Sequence, residues 1–228
     1  AAGVLMIQVL NPKKVKETDK EVVPDNPVSP MTDKIFLVFL LSLVLFGVIF
    51  LQYISTIPLY YREVHLLNER QIGLLLALNG FMIFIFEMPL INFLEKKNIS
   101  HVSHVMLGLS LVGASFLLYL VTPFAGVLAL GMIIATLGEM IAFPFGNAFA
   151  LRRSKIGRQG AYMGLYSMSF SMAHIFGHNG GMQLIGAIGY EYTWLGMIAL
   201  TLVAFLLLVY VKLRLKKEQK NQEIAIAA

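Results

Sequence analysis

The chain has 228 residues, 57% of them hydrophobic and only 14% charged, with a formal net charge of +5. Soluble domains carry about 25% charged residues, so this much apolar surface excludes an ordinary water-soluble core and points to lipid as the solvent. The sequence has no cysteine, which excludes disulfides and thiolate metal sites, and its basic residues sit in short stretches between apolar runs, which excludes a nucleic-acid-binding stripe.

Residues 1–10, Ala-Ala-Gly-Val-Leu-Met-Ile-Gln-Val-Leu, lack a basic flank and are too short to span a bilayer. They read as the end of a preceding transmembrane helix rather than as a signal peptide. Residues 11–34, with five lysines and Pro24, Pro27 and Pro30, read as a polar cytoplasmic linker that cannot pack a core. Six apolar segments follow at roughly 35–60, 71–94, 102–121, 125–150, 160–187 and 192–212. Each is near or above the ~20 residues a spanning helix needs. Runs such as 35–51 and 195–211 are apolar on every side, as lipid requires and an amphipathic surface helix does not. The expected fold is therefore an all-α polytopic membrane protein, a six-helix transmembrane bundle over 35–212 followed by a cytoplasmic tail at 213–228.

Lysine and arginine fix the expected orientation, because cytoplasmic loops carry the excess. Sixteen of the eighteen fall in the linker, the 94–102 and 150–160 loops and the tail, against only Arg62 and Arg70 on the other side. Both ends of the chain are therefore expected in the cytoplasm, which an even number of spans also requires. Glycines at 73 and 80, 131 and 138, and 177, 180 and 181 are expected where helix backbones pack closely.

Polar residues within the spans define the candidate site. A carboxylate in hydrocarbon costs at least ~2.5–3.5 kcal/mol on insertion scales, so each intramembrane acid needs compensation. Glu139, in mid-span, is the foremost proton carrier; Glu87, later in its span, is a second, with Lys96, Arg152 or Arg153 as alternative ion-pair partners. Gln52, Tyr53 and Thr56 form a polar edge on the first span, where Pro58 frees a backbone carbonyl near Ile54. Asn79 and, more weakly, Pro144, Gly146 and Asn147 extend that theme. On the fifth span Tyr162, Tyr166, Ser169 and Ala173 share a stripe, with His174 and His178 beside it. The i, i+4 histidines match a metal-ligand spacing, yet no Glu lies between them and no third ligand is fixed, so they read as cavity-lining or proton-sensitive groups, or as hydrogen-bonded interface histidines. No nucleotide-cradling loop, Gly-x-Ser-x-Gly elbow or His-Glu-x-x-His motif is present, so neither an enzyme nor a cofactor is expected.

Several stretches carry a resemblance. They are Pro58-Leu59-Tyr60, the run Gln71-Ile72-Gly73 through Asn79-Gly80, Glu87-Met88-Pro89-Leu90, and Gly157-Arg158-Gln159-Gly160-Ala161-Tyr162-Met163-Gly164-Leu165 followed by a Gly-Gly pair. With six spans and a polar linker, these residues resemble the carboxy-terminal half, spans seven to twelve, of a major facilitator superfamily transporter of the drug-efflux, drug:proton antiporter-like branch. Two features depart from that pattern. His178-Asn179 stands where a proline often precedes the Gly-Gly pair, and Leu94-Glu95-Lys96-Lys97-Asn98 is a degenerate form of the family's Gly-x-x-x-Asp-Arg-x-Gly-Arg loop. The resemblance implies a central cavity shared with a missing amino-terminal six-helix half. It further implies that 35–60, 71–94, 125–150 and 160–187 face that cavity, with 102–121 and 192–212 toward lipid.

The function this implies is secondary active transport of a small molecule by alternating access, as proton-coupled efflux across a bacterial cytoplasmic (inner) membrane. Proton-coupling candidates are Glu139, Glu87 and His174; substrate-cavity candidates are Gln52, Tyr53, Thr56, Asn79, Tyr166, Ser169 and His178. The expected partners are the lipid bilayer, a small-molecule substrate and protons. Uptake of a sugar or other nutrient is the alternative within the same fold, and a non-transporting membrane scaffold is the alternative of another class.

Overall fold

A computed structural model describes residues 27–121 and 126–227. The expected end of a preceding helix at 1–10 and most of the 11–34 linker lie outside the described residues. Helix α1 (Lys34–Ser55) starts at Asp33, whose carboxylate accepts the Phe36 amide (3.2 Å) as an N-cap. It gives way at Thr56 to a short α2 (Ile57–Glu63), with Pro58 in the first turn of the new helix. The expected single span at 35–60 is thus broken, because Pro58 offers no amide to the helix above it. Thr56 folds back onto the preceding turn, its amide donating to the Gln52 carbonyl (2.9 Å).

Helix α3 (Glu69–Glu95) opens with a capping box in which Asn68 and Gln71 bond reciprocally, each at 3.0 Å. Helix α4 (His101–Val121) and helix α5 (Gly126–Arg153) follow, and a 3-10 turn (Ser154–Ile156) leads into α6 (Gln159–Ala227). Gly189, at φ 79° and ψ 177°, breaks α6 in its middle. That positive φ is open to glycine at no steric cost. A straight helix of 69 residues would run about 100 Å. Instead Tyr162 near the start of α6 and Glu218 near its end reach the same cluster, so the chain reverses at Gly189. Two helices result, 159–188 and 190–227, in place of the expected 160–187 and 192–212. The second stays helical well past 212, through most of the segment expected as a tail. Five helices among the described residues are long and apolar enough to cross a membrane, the last of them, α6, dividing at Gly189 into two, and no strand occurs among the described residues.

Packing is uneven. The front half of α6 lies along α1, where a Cβ on Gly47 would meet Ala173 at 2.5 Å and one on Gly177 would meet Leu51 at 3.0 Å. Its back half lies along α4, where Trp194 packs on Phe116 with ring centroids 5.3 Å apart. Helix α4, expected on the lipid side, is a core helix: Val105, Leu109, Val112 and Phe116 are buried, and its outward face is narrow, with Leu107 and Leu117. The opposite holds for α3. Its most apolar 18-residue stretch has no buried residue, whereas more than half of the corresponding stretch is buried in α1–α2 and in α4.

The glycines divide accordingly. On α5, Gly131 abuts Tyr119 and Gly138 abuts the Gly108 backbone, as expected of close helix approach. Gly181 abuts Gln52. Gly73, Gly80 and Gly180, expected at tight contacts, have nothing within 4 Å of an added Cβ. They lie on surfaces this chain leaves uncovered.

An ion-pair cluster closes one end of the bundle. Arg153, at the end of α5, donates to Asp33 from Nε (2.7 Å) and Nη2 (3.0 Å), and to Glu218 from Nη1 (2.6 Å) and Nη2 (3.2 Å). The Tyr162 hydroxyl donates to Asp33 as well (3.1 Å). The segment before α1 is held there too, the Val28 amide donating to the Ile156 carbonyl (3.0 Å). Aromatic packing closes the other end: Tyr60 meets Trp194 edge-on (5.6 Å), the Tyr61 hydroxyl bonds Tyr119 (3.0 Å), and Tyr190 donates to Glu63 (2.7 Å). In the connection beyond, His65 is edge-on to Tyr60, and burial holds its imidazole below the usual range.

Candidate functional site

A polar contact within the spans joins α3 to α5. The Asn79 side-chain amide donates to Thr136 Oγ1 (3.0 Å) and to Glu139 Oε2 (2.9 Å). Thr136 donates its own hydroxyl to the Met132 carbonyl (2.7 Å), which leaves its oxygen to accept from Asn79. Thr136 and Glu139 are three residues apart and so share a helix face. A neutral amide orients the Glu139 carboxyl but brings no counter-charge. Among the described residues no cation pairs with it, since the ion pairs there are those of Arg153.

Glu87 lies eight residues beyond Asn79 on α3, about two turns along the same face. It is an electrostatic neighbour of Glu139, the other acid predicted from sequence. It opens on a cleft of about 540 Å³ between three helices. Glu87, Met88 and Ile91 line it from α3, Phe143, Pro144 and Asn147 from α5, and Tyr166 and Phe170 from α6. Pro89 and Pro144 each remove a backbone donor in mid-helix, so the carbonyls of Ile85 and Met140 lose their usual partners. In a membrane such carbonyls are satisfied by a neighbouring group or by water in a cavity. The aromatic wall is continuous, Phe143 lying 5.5 Å from Phe170 and Phe170 5.2 Å from Tyr166. Glu87, the one acid lining this aromatic cleft, can hold a proton or attract a cationic group, while the rings accept an apolar body.

The other sequence-predicted residues lie elsewhere. Gln52, Tyr53 and Thr56 are buried between helices rather than on an open face. Gln52 donates to the carbonyls of Val48 (2.8 Å) and Gly177 (3.0 Å), Thr56 bonds the Gln52 side chain (3.0 Å), and Tyr53 bonds Ser115. Ser169 is buried and donates to the Tyr166 carbonyl (2.6 Å). His174 and His178 stand on the exposed side of α6, and no group of three potential metal ligands occurs among the described residues. Arg153 is taken up by Asp33 and Glu218 and is not joined to Glu87. Sequence reasoning passed over Thr136, Phe143 and Phe170. The usable signals were the three-residue spacing from Thr136 to Glu139 and the four-residue spacing from Tyr166 to Phe170.

Comparison with known proteins agrees with this architecture. The family model described as Major Facilitator Superfamily matches residues 1–177 and 38–227. An uncharacterised MFS-type transporter of Bacillus subtilis (strain 168), YqjV, is 25% identical over 199 residues, which cover 84% of this chain and 48% of that protein. This chain thus spans about half the length of the curated relative it matches. Among solved structures, a POT family transporter in complex with 5-aminolevulinic acid superposes with a TM-score of 0.66 at 21% identity, over 86% of this chain and 43% of the other. Another, in complex with a thioalcohol-conjugated peptide, gives 0.65 at 21% identity, over 81% and 41%. At that identity the likeness shows the fold alone. By the family match over most of its length, and in keeping with its long apolar helices, the chain belongs to the Major Facilitator Superfamily.

Proposed function

We propose that this chain forms the carboxy-terminal half of a secondary transporter that exports a small molecule by alternating access, driven by proton exchange. The observation that carries the reading is the Asn79–Thr136–Glu139 cluster, with Glu87 beside it at the aromatic cleft. An acid without a counter-cation in an apolar surround gains from binding a proton, and a cationic solute entering the cleft competes with that proton. That competition is exchange. Half-length coverage of the curated relative and the bare surface of α3 support a second six-helix half placed against this one, where Gly73 and Gly80 admit close approach.

The end carrying Arg153, Asp33 and Glu218 is assigned to the cytoplasm of a bacterial inner membrane. Support comes from the sixteen of eighteen basic residues in the linker, the 94–102 and 150–160 loops and the tail. The test is transport by the complete protein in proteoliposomes with an imposed pH gradient. Glu139→Gln keeps an acceptor for Asn79 and cannot titrate, so solute movement driven by the gradient is expected to fall at least about tenfold while exchange of solute for solute persists. Coupling equal to that of the unaltered protein would remove Glu139 from the mechanism.

A further inference from the structure

A second cleft, of about 510 Å³, opens where α3 ends and α4 begins, at the same end of the bundle as Arg153. It is lined by three cations, Lys96, Lys97 and Arg152, against one carboxylate, Glu95. Its back wall is His104, which is 2% exposed and stacked on Phe145, the ring centroids 4.2 Å apart and the planes 18° from parallel. Neither ring nitrogen of His104 has a hydrogen-bond partner. The Ser100 carbonyl, one turn earlier, lies near the ring but does not meet hydrogen-bonding geometry with it. A buried imidazole must carry at least one N–H, and leaving that donor unmet is unfavourable. The stack on Phe145 holds the ring against turning away. Ile99, just before α4, and His101, its first residue, open on the same cleft, bringing the positive end of that helix to it.

Orphaned donor, cations and helix N-terminus all ask for one kind of occupant. We propose that this cleft binds a phosphate group, with Arg152 and the two lysines on its oxygens and His104 donating from behind. Phosphate oxygens are strong acceptors, and charge-assisted bonds to Arg are about twice as strong as neutral ones. The site lies at a membrane-length helix end, where basic pockets meet anionic lipid headgroups, so the phosphodiester of a lipid is one source and soluble phosphate the other. Binding here ties the α3–α4 connection to the end of α5. It is separate from the acids of the transport cleft.

The five histidines of the chain, His65, His101, His104, His174 and His178, make the test direct. The full chain, labelled with nitrogen-15 in its histidine rings and held in a neutral detergent, is titrated with phosphatidylglycerol and, separately, with inorganic phosphate. Saturable movement of the His101 and His104 ring signals, with the other three still, is the expected result. Movement with phosphatidylglycerol alone identifies a lipid site, and movement with inorganic phosphate identifies a soluble anion site. Arg152→Gln, and independently Lys96→Gln, is expected to weaken binding on the order of tenfold. Failure of both ligands to move these signals, or undiminished binding in both variants, would overturn the proposal.

Discussion

Arg153→Met is expected to destabilise the bundle by about 3–5 kcal/mol, because it strands a buried carboxylate. The Asp33 side chain is only 2% exposed and the Arg153 side chain 12%, so water cannot replace the lost partner. The Tyr162 hydroxyl and the Phe36 amide would remain as neutral donors to Asp33, with no cation beside it. Glu218 loses its partner too, but at 39% exposure it is rehydrated and adds little. Adding Asp33→Asn to Arg153→Met should recover much of the loss. The amide removes the unpaired charge and still caps α1, since asparagine is as good an N-cap as aspartate. Thermal unfolding of the single and double variants in detergent checks this. Non-additivity of at least about 1 kcal/mol between the two changes is the signature of a coupled pair, and strict additivity would mean the two side chains act separately.

Gly138→Ala has the second large effect, at about 1–3 kcal/mol or more, and it acts through packing alone. A Cβ on Gly138 would stand 2.6 Å from the Gly108 carbonyl oxygen, and one on Gly108 would stand 2.5 Å from that of Gly138. Both obstacles are backbone, so relief requires α4 and α5 to move apart along a buried seam. Gly80→Ala is the control on the open face of α3, where nothing lies within 4 Å. There the gain in helix propensity, about 0.5–1 kcal/mol, goes unopposed. Unfolding curves should therefore shift in opposite directions for the two substitutions. In the complete transporter Gly80→Ala should nonetheless impair transport if α3 packs against the second half.

How far the sequence told this in advance depended on how local each feature is. Apolar run length sufficed to locate six helices, since lipid imposes a length on each span without regard to its neighbours. The break near Pro58 was legible for a similar reason, being fixed by the chemistry of one residue. Gly131 and Gly138 were read correctly as tight, yet the same reasoning applied to Gly73 and Gly80 met an open surface. Composition marks a glycine as able to pack closely, but only the partner helix makes it do so. Asp33, Arg153 and Glu218 form their cluster across 120 and 65 residues of separation, and no spacing rule connects them.

The candidate site shows the same division. Glu87, Asn79, Glu139 and Tyr166 were legible because polarity in hydrocarbon is conspicuous, and the fold brings them to neighbouring positions on α3, α5 and α6. Gln52, Tyr53 and Thr56 are equally conspicuous, but their polarity is consumed between helices. Phe143 and Phe170 were invisible by the same logic, since an aromatic residue in a membrane helix attracts no notice until the cleft beside it is seen.

The central claim is that the cleft of Glu87, Asn147 and Tyr166 is a water-exposed wall of a transport pathway. The chain itself has no cysteine, so once any cysteines of the second half are replaced, single cysteines can be introduced here without background. In the complete transporter in membranes, Asn147→Cys is expected to react with a water-soluble maleimide at a rate that changes when the pH gradient is reversed. Leu117→Cys, on the outward face of α4, should stay unreactive throughout. Reaction at 147 no faster than at 117 under either gradient would show a dry surface and contradict the account.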